Sequence, residues 1–242
     1  ESMHEQDPFA LGMILGLARA PSVRTLHRAL RQMTEVVDPI QLWAAAMTAL
    51  MRERSPEIPV FGVDGHFKPY FGDAPIDKGW SAKRRIVEKG LATVRVNDLA
   101  GHTFSEVMVP AGDSLHAHVL IVAHALREAQ ACMEEGNERP IVLAFDRGGF
   151  SFHVLNALAA ECFWYLVWIP SSVRLDSLAA IAPTEDGVAE GSWTHASLEH
   201  PARLLVTRDG EALVAAATNL PPWVDAATAM KLTFGAGTMH WP

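Results

Sequence analysis

Two apolar runs that each end on an aspartate constrain this chain more than any other feature. Val60–Val63 (VFGV) leads into Asp64-Gly65, and Ile141–Phe145 (IVLAF) leads into Asp146-Arg147-Gly148-Gly149. A short continuous apolar run reads as a strand covered on both faces. An aspartate at its end belongs at the rim of the sheet, because an unpaired charge is not carried into an apolar core. The pattern therefore predicts a covered sheet that delivers two carboxylates to its edge. On neighbouring strands, two such groups form a site for a hard divalent cation, Mg2+ or Mn2+, which takes oxygen ligands.

The spacing of apolar residues supplies the rest of the order. Residues 8–54 read as three helical segments, separated at Pro21-Ser22 and Asp38-Pro39, with Ser22 and Asp38 placed to cap helix starts. Strands are predicted at 59–64, 91–97 and 103–110, followed by a helix over 114–135 with Leu115, Val119, Val122 and Leu126 on one stripe. A strand at 141–146, a helix at 151–161 and a strand at 163–169 come next. Residues 202–218 read as a hairpin about Asp209-Gly210, and a short helix covers 224–232. This α/β order suits a ribonuclease H-like mixed sheet flanked by helices, in which the first and fourth strands lie side by side. A small N-terminal helical unit (1–55) precedes the main domain (56–242), and a β-hairpin insertion follows the fifth strand.

Charge and cysteine usage narrow the function classes. A formal net charge of −8 argues against a chain built wholly as a sleeve for nucleic acid, though not against a local basic surface. No apolar run approaches the length of a membrane span. Cys132 and Cys162 are too few and too far apart for a disulfide framework or a Cys-x-x-Cys site; both are expected as buried thiols in a reducing cytoplasm.

Asp64 and Asp146 are the candidate catalytic and metal-ligating residues. Two close carboxylates repel each other unless a cation sits between them. Lys68, Lys78, Lys83, Arg84, Arg85 and Lys89 form the strongest basic run, and Arg147 directly follows the second aspartate. Lysine and arginine at such positions read either as a solvated loop or as contacts to DNA phosphates. Of these, Lys68, Lys83, Arg84, Arg85 and Arg147 are the candidate DNA contacts. Arg24, Arg28 and Arg31 give the second N-terminal helix a basic side, open to the same two readings. Gly148-Gly149 ahead of a helix would offer backbone N–H groups to a phosphate. Tyr70 and Trp80 read as packing residues or as stacking surfaces for bases. His116, His118 and His124 lack the spacing of a metal pair on one helix face, and His66 is the one histidine placed near the acids.

Several of these stretches occur together in a recognisable order. GVDGHFKPYFG (Gly62–Gly72), KGWSAKRR (Lys78–Arg85), VND (Val96–Asp98) and AFDRGGFS (Ala144–Ser151), preceded by GLARAPSVRTLHRAL (Gly16–Leu30), resemble a bacterial insertion-sequence transposase of the DDE superfamily. The resemblance implies a ribonuclease H-like core, divalent metal (Mg2+ or Mn2+), and DNA strand cleavage and joining. Asp64 and Asp146 match the first two acids of the family triad. It also implies transposon ends and target DNA as partners, a cytoplasmic, nucleoid-associated protein, and is compatible with a homo-oligomer. The family's third acid is a glutamate on a helix after the strand insertion, and the chain stops at Met239-His240-Trp241-Pro242 about where it is expected. The chain therefore reads as C-terminally incomplete, with Glu211 in the hairpin a poor substitute. A transposase-derived module that holds DNA or protein without catalysis is the alternative, and an unrelated metal-dependent phosphohydrolase a third reading.

Overall fold

The computed structural model describes residues 18–36, 39–54, 59–132, 139–173, 175, 181, 183, 187–210 and 212–235. The chain divides into two compact units, Glu1–Trp43 and Ala44–Pro242.

In the first unit, helix α1 covers Val23–Val36. It starts where Ser22 predicts: the Ser22 hydroxyl accepts from the Thr25 N–H at 3.1 Å, a cap that contributes about 1 kcal/mol. Arg24, Arg28 and Arg31 are all exposed on it. The predicted first helical segment and Asp38 lie outside the described residues. Helix α2, Pro39–Arg54, runs across the boundary, and its Met47 and Met51 are buried.

Among the described residues, the second unit is organised by a nine-stranded sheet. Its strands are β1 (Val60–Pro69), β2 (Lys78–Ser81), β3 (Ile86–Asp98), β4 (Thr103–Val109), β5 (Val142–Phe145), β6 (Trp164–Trp168), β7 (Ala189–Trp193), β8 (Ala202–Asp209) and β9 (Ala212–Thr218). Strand β1 pairs antiparallel with β3 and parallel with β5, and β5 pairs parallel with β6. Strand β4 pairs antiparallel with β3. The five predicted strands thus stand in the spatial order third, second, first, fourth, fifth: the ribonuclease H-like arrangement, with first and fourth adjacent. The predicted hairpin is β8–β9, turning at Gly210 with φ +60. Its β9 pairs with β6, so the insertion extends the main sheet instead of standing apart from it.

Helices α3 (His116–Ala131) and α4 (Phe152–Ala160) are the crossovers, and α5 (Ala226–Gly235) follows the insertion. The stripe predicted on α3 is realised in buried Val119, Val122 and Leu126. The two sheet faces have different covers. Val60, Val142, Leu166 and Trp168 pack with Ala229 and Met230 of α5. Their neighbours of opposite parity (Phe61, Val63, Leu143, Phe145, Tyr165) lie on the side of α3 and α4 and are also buried. Each large apolar side chain removed from water this way contributes about 1.5–3 kcal/mol.

Arg203 on β8 fixes where α5 begins. Its guanidinium pairs with both carboxylate oxygens of Glu190 at 2.8 Å, and donates to the carbonyls of Leu220, Pro221 and Val224 at 2.9–3.0 Å. The same pairing holds the Glu190 carboxyl below its usual range.

One sequence expectation fails here. Cys132 and Cys162 are exposed, not buried. Each stands just beyond a helix end, Cys132 as the C-cap of α3 and Cys162 at φ +59 two residues after α4. An apolar pattern carried past the last helical turn no longer faces the core.

Candidate metal centre and DNA face

The register of β1 on β5 places the two aspartates together. Val63 is paired with Phe145, so Asp64 and Asp146 are the next residues on adjacent parallel strands and share a face of the sheet. Both are half-buried. The Asp64 carboxyl is pushed above its ordinary range by burial and then by the charge of Asp146, against weaker lowering by His66, the Gly65 N–H and Arg95. The Asp146 carboxyl is also raised by burial, against hydrogen bonds from Gly148 and Gly149 and the charge of Arg147. Two like charges held partly out of water at one strand edge form a place where a cation is favoured.

The turn after β5 is built on Asp146 itself. Its Oδ1 accepts from the Gly148 N–H at 2.9 Å, and its carbonyl accepts from the Gly149 N–H at 3.1 Å. These contacts cap the short 3-10 turn Arg147–Gly149. The two glycine N–H groups are therefore engaged by Asp146, which overturns the expected phosphate seat there. A Cβ on Gly149 would meet the Phe145 ring at 2.6 Å, so the turn needs glycine at that position for close packing.

Across β1, the row continues with residues that sequence reasoning missed. Asp64 faces Arg95 on β3, and Arg95 faces Glu106 on β4. Arg95 pairs with Glu106 at 3.1 Å, and the Thr93 hydroxyl donates to the same carboxylate at 2.9 Å. Glu106 is held below its usual range, first by that hydroxyl and then by Arg95. Asp146, Asp64, Arg95 and Glu106 thus form one charged row over four strands, and Arg95 sets a positive charge beside the acid pair. The alternation of LATVRVN carried the signal, since it places Arg95 on the polar side of a half-covered strand.

The basic residues divide by position. Lys68 is exposed two steps beyond His66 on the Asp64 face of β1. Lys83, Arg84 and Arg85 lie in the β2–β3 turn, nine or more residues along β3 from Arg95, about 30 Å away. There Arg84 pairs with Glu88 and lies over the Phe71 ring at 5.7 Å. Arg147 is half-buried beside Asp146 and lowers its pKa. The histidines of α3 have polar partners: His116 with Ser114, His118 with Asp113 and His124 with Glu161. Glu211 lies outside the described residues.

A cleft of about 360 Å3 opens beside Asp146, walled by Gly65, Phe67, Leu115 and His118. It gives access to the strand tips from the α3 side. Among the described residues, no group of three or more His, Cys, Asp or Glu side chains could hold a metal ion. Two carboxylate donors in a charge-coupled, half-buried pair nevertheless fit a hard cation such as Mg2+ or Mn2+. Among those residues, too, no helix is long and apolar enough to cross a membrane.

Comparison with known proteins places the chain. It is similar to the solved piggyBac transposase synaptic complex with hairpin DNA, at 10% identity and a TM-score of 0.49, over 89% of this chain and 46% of that one. It is also similar to the Mos1 mariner paired end complex with Mn, at 12% identity and a TM-score of 0.30, over 66% of this chain and 54% of that one. The chain spans about half the length of these solved proteins. No curated protein matches it significantly. The profile of a family described as transposase protein matches residues 1–159, which is most of the chain and includes both aspartates. The chain belongs to that transposase family.

Proposed function

We propose that this protein is a DNA transposase of the DDE type, of bacterial insertion-sequence origin, that cleaves and joins DNA strands with Mg2+ or Mn2+. One observation carries the reading: Asp64 and Asp146 directly follow the paired Val63 and Phe145 of adjacent parallel strands, burial raises both carboxyls, and the charge of Asp146 raises Asp64 further. These two side chains would hold the metal. Bound there, divalent ions would activate the attacking oxygen and stabilise the leaving oxygen of an in-line phosphoryl transfer. The chain's own part is to fix both carboxylates before substrate arrives. Val60–Val63 and Val142–Phe145 are locked in the core, and the Gly148 N–H orients Asp146. Lys68, Lys83, Arg84, Arg85 and Arg147 are assigned to DNA phosphates, which supply most sequence-independent affinity. A third acidic ligand is assigned to residues other than those described.

The test is divalent-dependent nicking by the complete protein on a supercoiled plasmid carrying transposon ends. Nicking with Mg2+ or Mn2+, and none in EDTA, is the expected result; no nicking with either metal would remove the catalytic assignment. A second reading, a module that holds DNA without cutting it, is favoured by the lack of a third ligand near the pair among the described residues.

A further inference from the structure

Beyond Asp64 the sheet loses one of its covers. Strands β1, β2, β3 and β4 continue as an extension with one buried and one open face. Gly79, Ser81, Gly90 and Val94 are buried, whereas Lys78, Trp80, Val87 and Leu91 alternate with them and are exposed. The pairing brings the open-face residues together: Trp80 beside Val87, Lys78 beside Lys89, and Lys68 beside Leu91. Two of the apolar members are largely in solvent, Trp80 at 57% and Met108 at 64%. The face is therefore both apolar and basic, in a chain whose net charge is −8.

This is the open continuation of the face that carries the acid pair. Asp64, His66 and Lys68 follow one another on it, so Lys68 lies about 14 Å along β1 from Asp64. The Phe67 ring, on the buried side, holds the extension in shape. A Cβ on Gly79 or Gly90 would meet that ring at 2.7 or 2.1 Å.

Resting on the reading of DNA as substrate, we propose that this open face, which starts beside Asp64 and runs outward along β1 and β3, seats single-stranded DNA leading away from the cleavage site. Trp80 stacks on one unpaired base, and Lys68, Lys78 and Lys89 neutralise the flanking phosphates. Duplex DNA presents phosphates and sugars outward and keeps its base faces stacked inside, so it leaves an exposed indole and its aliphatic neighbours without a partner. An unpaired strand offers both the flat apolar surface and the negative charge that this face complements.

The experiment compares binding of a fluorescein-labelled oligodeoxythymidine and of a duplex of equal length, by anisotropy without divalent metal, for the full chain and its Trp80 variants. Trp80→Ala is expected to weaken oligodeoxythymidine binding about tenfold and duplex binding less than about twofold, with Trp80→Phe restoring most of the loss. Lys68→Ala is expected to reduce the salt dependence of binding by about one counterion. Equal weakening of both ligands, or none, overturns the proposal. So does a change in self-association by sedimentation on replacing Trp80, which would make the face a contact between copies. Nicking by the unmodified protein, measured beside the binding, separates the two readings. Trp80-dependent binding without metal-dependent nicking in the unmodified protein would sink only the catalytic reading, and nicking with Trp80-independent binding would sink only this one.

Discussion

Strand β1 is two different strands joined at Asp64. Val60–Val63 is buried on both faces, between α5 on one side and the α3–α4 layer on the other. From Gly65 to Pro69 the same strand is only partly covered: Gly65, His66 and Lys68 are exposed, and His66 and Lys68 share the open face. The inner half is anionic at its tip, while the outer half is basic and studded with apolar side chains. What separates them is the extent of helical cover, and the acid pair sits at the border. A carboxylate there is desolvated enough to prefer a cation, yet near enough to solvent for a substrate to reach it.

The sharpest way to break this contrast is to remove charge on the inner side alone. Asp64→Asn or Asp146→Asn is expected to lower strand cleavage by the complete protein at least about a thousandfold, since metal-centred stabilisation is worth several kcal/mol. Circular dichroism and oligodeoxythymidine binding should stay as in the parent. Residual activity within tenfold of the parent would take the assignment away from that residue.

Next in size is the packing that shapes the outer half. Gly90→Ala puts a methyl into the Phe67 ring and is expected to cost about 1–3 kcal/mol in chemical denaturation. A neutral result would mean that the ring moves aside freely and the extension is looser than drawn.

A third measurement uses pH. Both aspartates have raised native pKa values, so the native state binds their protons more tightly than the unfolded chain does. Metal-free protein should therefore lose stability as pH rises from the ordinary carboxylate value through the raised ones. Thermal melts should show Mg2+ raising Tm at pH 7.5, with the gain shrinking towards pH 4 as the ligands take up protons. Asp64→Asn should stabilise the metal-free protein at neutral pH and abolish most of the Mg2+ effect. A Tm gain that ignores pH would place the metal elsewhere.

The smallest effect belongs to the charged row. Glu106→Gln removes a half-exposed partner of Arg95 and is expected to shift stability by less than about 1 kcal/mol. A larger loss would show the row to be a structural element of the sheet.

The inner half of the molecule was more legible in the sequence than the outer half, for one physical reason. Strand β5 sits between two helical layers, so every residue of VLAF is apolar and the run announces itself. Strand β2 escaped notice because its inward residues are Gly79 and Ser81, and the apolar mass over Gly79 comes from Phe67 of another strand. Strand β7 is hidden in the same way, with Gly191 beneath the side chain of Ile181. The acid pair could be named from its two runs, but Arg95 and Glu106 acquire their place only through the pairing of β1, β3 and β4. The glycine pair after Asp146 offered N–H groups on paper, and the aspartate took them first.

Helix α5 rests on the same side of the sheet to which Asp64 and Asp146 project, and the Arg203 clasp anchors its first turn. The helix packs over Val60 and Val142, four residues before the two aspartates on their runs. On the other side, α3 and its N-cap bring His118 and Leu115 to the cleft beside Asp146. The clasp thus fixes, from within the sheet insertion, the start of the helix that covers the carboxylate side of the sheet.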